Sequence, residues 1–128
     1  MARKKFKVLS FKEQDRIFHR IFSEPLFLNL PEAEESLRPT KLTSSPTEID
    51  NYFLTCRWYL SFTKDIAQSD LIKLIRLLPT LYLSNFQRVY PDFVNLYTLR
   101  IIDFQFTSSS VDILIVIDNS EAHMRNLL

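Results

Sequence analysis

The residues able to carry chemistry are few: two histidines, His19 and His123, a single cysteine, Cys56, and scattered carboxylates. A structural zinc site takes four ligands of the Cys or His type, and Cys56 with both histidines supplies three, so no metal is expected. Cys56 falls in an apolar stripe. An inert, buried thiol is the default there, because a reactive cysteine needs an accessible, electropositive setting. Glu32, Glu34 and Glu35 crowd a polar stretch where solvent holds their pKa values near normal and nothing sets their separation, which suits them poorly to general acid–base work. Asp103, between Ile102 and Phe104, is expected to face solvent or to pair with Arg100.

The chain contains no glycine. Devices that need positive φ or a close backbone approach to phosphate must use Asn or Asp instead, or be absent. The P-loop, the dinucleotide fingerprint, the nucleophile elbow and the EF-hand loop are therefore excluded in their usual forms. Asp118 ends the apolar run 114–118 in the manner of a magnesium-holding acid in nucleotide hydrolases. The companion phosphate cradle needs glycines, so the expected role of Asp118 is to leave a strand and open a turn. No catalysis, no cofactor and no small-molecule substrate are expected. Lack of glycine fits genome composition or rapid divergence of the kind some viral proteins show.

Binding is the remaining class of function, and two sets of residues are candidates for it. Ser45, Pro46 and Glu48 supply an N-cap, a proline at the first helical position and the acid of a capping box, which predicts a long helix over 46–67. Its main stripe is Ile49, Tyr52, Phe53, Cys56, Tyr59, Leu60, Ile66 and Ala67, and Leu54, Trp58 and Phe62 fall four apart on the opposite side. Two apolar faces imply either a helix sandwiched inside the domain or a face for a protein partner or a second copy, with Trp58 as its anchor. The second set is basic. Arg3, Lys4, Lys5 and Lys7 crowd the first seven residues, and Lys12, Arg16 and Arg20 follow at spacings of four along a predicted helix. They form either a solvated arm and ridge, with Glu13 and Asp15 alongside, or a phosphate-tracking surface for nucleic acid.

These residues need a scaffold. At 128 residues, with 46% apolar and 24% charged residues and a net charge of +1, the chain suits a single domain over 1–128. One cysteine and the lack of a charged-then-apolar leader predict a cytoplasmic or nuclear setting. The apolar runs fall short of the roughly 20 residues of a membrane span. Residues 5–9 alternate as a lysine-faced edge strand, and Ser10 with Glu13 caps a helix over 11–23. The stretch 26–30 reads as a brief strand or an extended packing segment, 31–45 as a flexible loop, 69–79 as a third helix ended or kinked by Pro79, and 80–90 as a fourth. Residues 97–106 and 111–118 flank the turn 107–110 as a β-hairpin, and 120–128 reads as a helical turn or a frayed end. The expected fold is α+β: a small antiparallel sheet of N-terminal edge strand and C-terminal hairpin, packed against three or four helices, with 46–67 as the spine. The expected function is that of a non-catalytic interaction subunit or adaptor, binding through the Leu54, Trp58, Phe62 face or a sheet edge.

Overall fold

Alternation over residues 53–61 decides the architecture. Leu54, Cys56, Trp58 and Leu60 are buried while Phe53, Arg57 and Tyr59 are exposed, the period-two signature of a strand with one face on the core. A computed structural model describes residues 6–23, 38–50 and 52–128. Its elements run β1 (Phe6–Lys7), α1 (Phe11–Ile21), β2 (Lys41–Ile49), β3 (Phe53–Ser61), α2 (Gln68–Val89), β4 (Val94–Asn95), β5 (Thr98–Phe106), β6 (Ser110–Asp118) and α3 (Ser120–Asn126). Four strands form an antiparallel sheet in the order β2-β3-β6-β5, and β1 pairs in parallel with β4 as a separate two-stranded sheet.

This overturns the expected small sheet with a helical spine. The stretch 46–67 is the end of β2, a turn, β3 and the lead into α2. Pro46 opens no helix. It sits in an outer strand, opposite Cys56 and beside a bulge between Pro46 and Glu48. A proline lacks the N–H that a central strand must donate, so an outer strand with a bulge is where it fits. Lys41 to Ser45, expected in a loop, are the first half of β2. The brief strand expected over 26–30, and residues 31–37, lie outside the described residues. The two helices expected over 69–79 and 80–90 are one, α2, which passes through Pro79. An interior proline costs a helix about 3 kcal/mol. Leu71, Leu74, Ile75, Leu78, Tyr82 and Phe86 are buried along both halves, and each contributes about 1.5–3 kcal/mol, which outweighs that cost.

One sheet face is covered. Val111, Ile113, Ile115 and Ile117 of β6 join the inward residues of β3 beneath α1 and α2, in one apolar cluster. Helix α1 starts at the anticipated capping box: the Glu13 N–H donates to Ser10 Oγ, and the Ser10 N–H reaches back to the Glu13 carboxylate. Gln14, Ile17, Phe18 and Ile21 form its buried face. At the centre, Trp58 is fully buried at 0% exposure. Phe18 from α1 stacks on it at 4.7 Å between ring centroids, and Tyr82 from α2 at 5.7 Å. Its indole N–H donates to Gln14 Oε1 at 3.0 Å, and the Gln14 amide N–H donates onward to Ser44 Oγ on β2.

Side chains replace the usual turn glycines. Between β2 and β3, the Asp50 carboxylate accepts the N–H groups of Tyr52 (2.7 Å) and Phe53 (2.6 Å), and the Asp50 N–H donates to the Phe53 carbonyl. Between β5 and β6, the Thr107 N–H donates to the Ser110 carbonyl and the two hydroxyls bond at 2.7 Å. Two asparagines then stitch the first strand down. Asn126 accepts from the Phe6 N–H and donates to the Phe6 carbonyl, and Asn119 does the same for Leu9.

Replacing Trp58 with Phe keeps an aromatic ring but strands the Gln14 carbonyl oxygen in the core. Urea denaturation is expected to show a loss of about 1–3 kcal/mol, and adding Gln14→Leu to recover part of it; strict additivity of the two changes would contradict the pairing. The N–H groups of Phe53 and then Tyr52 hold the Asp50 carboxyl below its usual value. Its contribution is therefore complete above the ordinary aspartate pKa of about 3.9 and fades as pH falls through the lower folded value. Asp50→Ala is expected to lower the melting temperature at pH 7, with the gap from the parent closing in strong acid.

Candidate functional site

The Leu54, Trp58, Phe62 set does not form a surface. These residues are 2%, 0% and 5% exposed, because Leu54 and Trp58 share the inward face of β3 and Phe62 follows at its end. They are core, and a partner has no access to them in this fold. Of the basic set, Arg3, Lys4 and Lys5 lie outside the described residues. Lys7 is engaged within the fold: it pairs with Glu13, and its ammonium lies 4.6 Å from the Tyr90 ring centroid and 5.1 Å from that of Phe93. Lys12, Arg16 and Arg20 are exposed along α1 as their spacing predicts.

The chemistry-bearing residues are dispersed. His19 pairs with Asp15 one turn away on exposed α1, and His123 packs edge-on against Tyr52. Among the described residues there is no group of three or more His, Cys, Asp or Glu placed to hold a metal ion. Cys56 is buried, and burial, with a smaller push from the charge of Asp15, raises its thiol pKa to about 12. The Asp118 carboxylate accepts the Ser120 N–H at 2.9 Å, an acid turning the chain from β6 into α3. It lines a shallow depression of about 260 Å³ with Asn95, Leu96, Tyr97, Thr98, Ser120 and Glu121. The Tyr82 and Tyr97 hydroxyls are buried without a hydrogen-bond partner among the described residues, and burial raises both pKa values, which leaves them neutral.

Among the described residues, what the fold exposes is the outer face of the sheet and its two edges. On the outer face Phe53 and Tyr59 are exposed, with Leu114 and Val116 half-buried between. Arg57 pairs there with Asp112 at 2.9 Å, an exposed contact worth about 0–1 kcal/mol. By register, Lys41, Arg57 and Arg100 share this face with Glu48, Asp103, Asp112 and Asp118. Acids outnumber bases, so the face lacks the positive potential that follows a phosphate backbone.

The edges differ sharply. Along β2, residues 43–48 are Thr, Ser, Ser, Pro, Thr and Glu; Pro46 removes a donor, the bulge breaks the line, and the Thr47 hydroxyl donates inward to the Thr55 carbonyl. These are the features that keep an edge from pairing. β5 has neither proline nor lysine, and it presents Ile102 at 55% exposure and Phe104 at 41%.

The ladder fixes which backbone groups β5 offers. Asn119 donates to the Tyr52 carbonyl and Phe62 to the Ser109 carbonyl, so odd-numbered residues of β6 turn their polar groups toward β3 and even-numbered ones toward β5. Their partners on β5 are Thr98, Arg100, Asp103 and Gln105, with a bulge between Ile101 and Asp103. Leu99, Ile101, Phe104 and Phe106 therefore present N–H and C=O groups outward. One of these is already capped, since the Asp103 carboxylate accepts the Phe104 N–H at 2.8 Å. Sequence reasoning named a sheet edge as a binding surface without assigning residues to it, and it missed the buried Gln14. Two exposed apolar residues flanking an acid in a strand pattern were the available signal for the first, and a glutamine three and four residues before Ile17 and Phe18 for the second.

No family model, no curated protein and no solved structure matches this chain. No helix among the described residues is long and apolar enough to cross a membrane. The Cys56 environment yields a direct expectation: in the native protein a thiol reagent at neutral pH reacts at least about a hundredfold more slowly than in urea. Comparable rates would show the strand open or the site accessible.

Proposed function

We propose that this chain is a non-catalytic interaction subunit or adaptor of a cytoplasmic or nuclear complex, and that it docks its partner along the outer edge of β5. The contrast between the two sheet edges carries this reading. One edge is blunted by proline and polar residues; the other, though also bulged, has no strand beside it among the described residues and presents exposed Ile102 and Phe104. Strand addition of this kind draws affinity from main-chain hydrogen bonds and specificity from alternate side chains. The lone, buried Cys56 supports the reducing compartment.

A second reading, nucleic-acid association through Lys12, Arg16 and Arg20, is supported by their shared exposure on α1. It is the weaker of the two, because Asp15 lies on the same helix and Lys7 is held by Glu13.

A photo-crosslinking residue placed at Ile102 in the full chain, expressed in cells, is expected to give a discrete protein adduct, while the same residue at the exposed loop position Thr63 does not. Ile102→Lys should remove that partner and shift stability by no more than about 0.5 kcal/mol, as surface changes do. The absence of any adduct at Ile102, or equal labelling at Thr63, would sink the reading.

A further inference from the structure

The charges on either side of the β5 bulge, Arg100 and Asp103, set which partner strand fits. Before the bulge, the even-numbered residues Thr98 and Arg100 lie on the outer face and the odd-numbered Leu99 and Ile101 on the core face; after it the parity reverses, with Asp103 and Gln105 outward and Phe104 and Phe106 on the core side. A regular strand takes up this bulge by a shift of register, as β6 does on the other side of β5. A second β5 run in the opposite direction also keeps like faces together on both sides of the bulge, and it alone brings the charges of β5 opposite their complements.

We propose that the occupant of the β5 edge is a second copy of this chain, with the two β5 strands antiparallel about a two-fold axis at the Ile101–Ile102 peptide. This rests on the reading of β5 as a docking edge. In that register Arg100 lies opposite the partner's Asp103 on the outer face, twice by symmetry, and Leu99 lies opposite the partner's Phe104 on the core side. Leu99 and Phe104 are residues whose backbone groups face outward, so the pair exchanges both N–H···O=C bonds, while Arg100 and Asp103 occupy the closer, non-hydrogen-bonded positions where side chains meet. The two exposed Ile102 side chains come together at the axis. Sliding by two residues either way sets Arg100 opposite Gln105 or Asp103 opposite Thr98 and loses both charge pairs, so the charges select this alignment. Such an interface is isologous and closes after two copies, giving a continuous eight-stranded sheet.

The Asp103 carboxylate has a part in both states. In the single chain it caps the outward N–H of Phe104. In the pair it turns to the partner's Arg100 and releases that N–H to the partner's Leu99 carbonyl.

Native mass spectrometry and sedimentation of the full chain test this. A species of twice the chain mass is expected. Arg100→Asp alone and Asp103→Arg alone, each placing like charges opposite one another, should weaken self-association about tenfold or more. The double variant Arg100→Asp with Asp103→Arg should restore it. Both positions are exposed, and circular dichroism of each variant confirms that the fold is kept. A folded chain that stays monomeric at high concentration, a dimer indifferent to either single change, or a double variant that fails to recover would overturn the proposal. A monomer whose Ile102 probe captures a different protein rejects self-pairing while leaving the docking edge standing, and a monomer with no adduct rejects both.

Discussion

The Trp58 indole N–H and the Gln14 carbonyl oxygen form the contact on which the rest of this fold depends. A buried indole needs an acceptor, and a buried amide needs partners for both its ends. Gln14 meets both needs by standing between Trp58 on β3 and Ser44 on β2. Three elements are thereby tied at one point, and the stacked rings of Phe18 and Tyr82 set α1 and α2 above the same indole. A central polar link of this kind adds directionality to packing that apolar contacts alone leave loose. It also explains why a polar residue occupies the buried face of an otherwise conventional amphipathic helix.

Covering one sheet face leaves the other, and two edges, to be managed without glycine. The chain does this with side chains. Asp50 closes one hairpin, Thr107 and Ser110 the other, and Asn119 and Asn126 grip the backbone at Leu9 and Phe6 as a neighbouring strand would. Asn, Asp, Ser and Thr are the residues whose short polar side chains bond local backbone groups. Their use at every turn of the sheet is the counterpart of the missing residue type. The same vocabulary protects β2 and, through Asp103, partly protects β5.

Single elements were legible in the sequence, the architecture of the sheet was not, and the failures have physical causes. The β5–β6 hairpin declared itself by β-branched residues on either side of a polar turn, and α1 by its capping box. The stretch 46–67 misled because two grammars overlap in it. Ser45, Pro46 and Glu48 spell a helix start, yet a proline is equally at home in an outer strand. The alternation of β3 is hidden because its outward positions include Phe53 and Tyr59, so apolar residues appear on both parities and a helical stripe can be drawn through them. Drawn on a helix, Leu54, Trp58 and Phe62 seem to form a second face; on a strand, Leu54 and Trp58 join the inward row. Pro79 misled in the other direction, since burial along all of α2 overrides a local breaker. A sheet edge was legible as a candidate surface, but which of two outer strands is left unguarded depends on strand order, which is a property of the whole sheet.

The paired bonds between Leu9 and Asn119 span 110 positions along the chain, and this has a consequence for how the molecule is made. At synthesis rates of about 5–20 residues per second, the first strand waits about 6–22 s before its asparagine clamp has even been polymerised. Until residue 113 is made, β3 has no β6 beside it and Trp58 on its inward face lacks its strand neighbour Ile113. The nascent chain is thus a late closer, whose vulnerability to premature association is settled by the ribosome's pace over its final third.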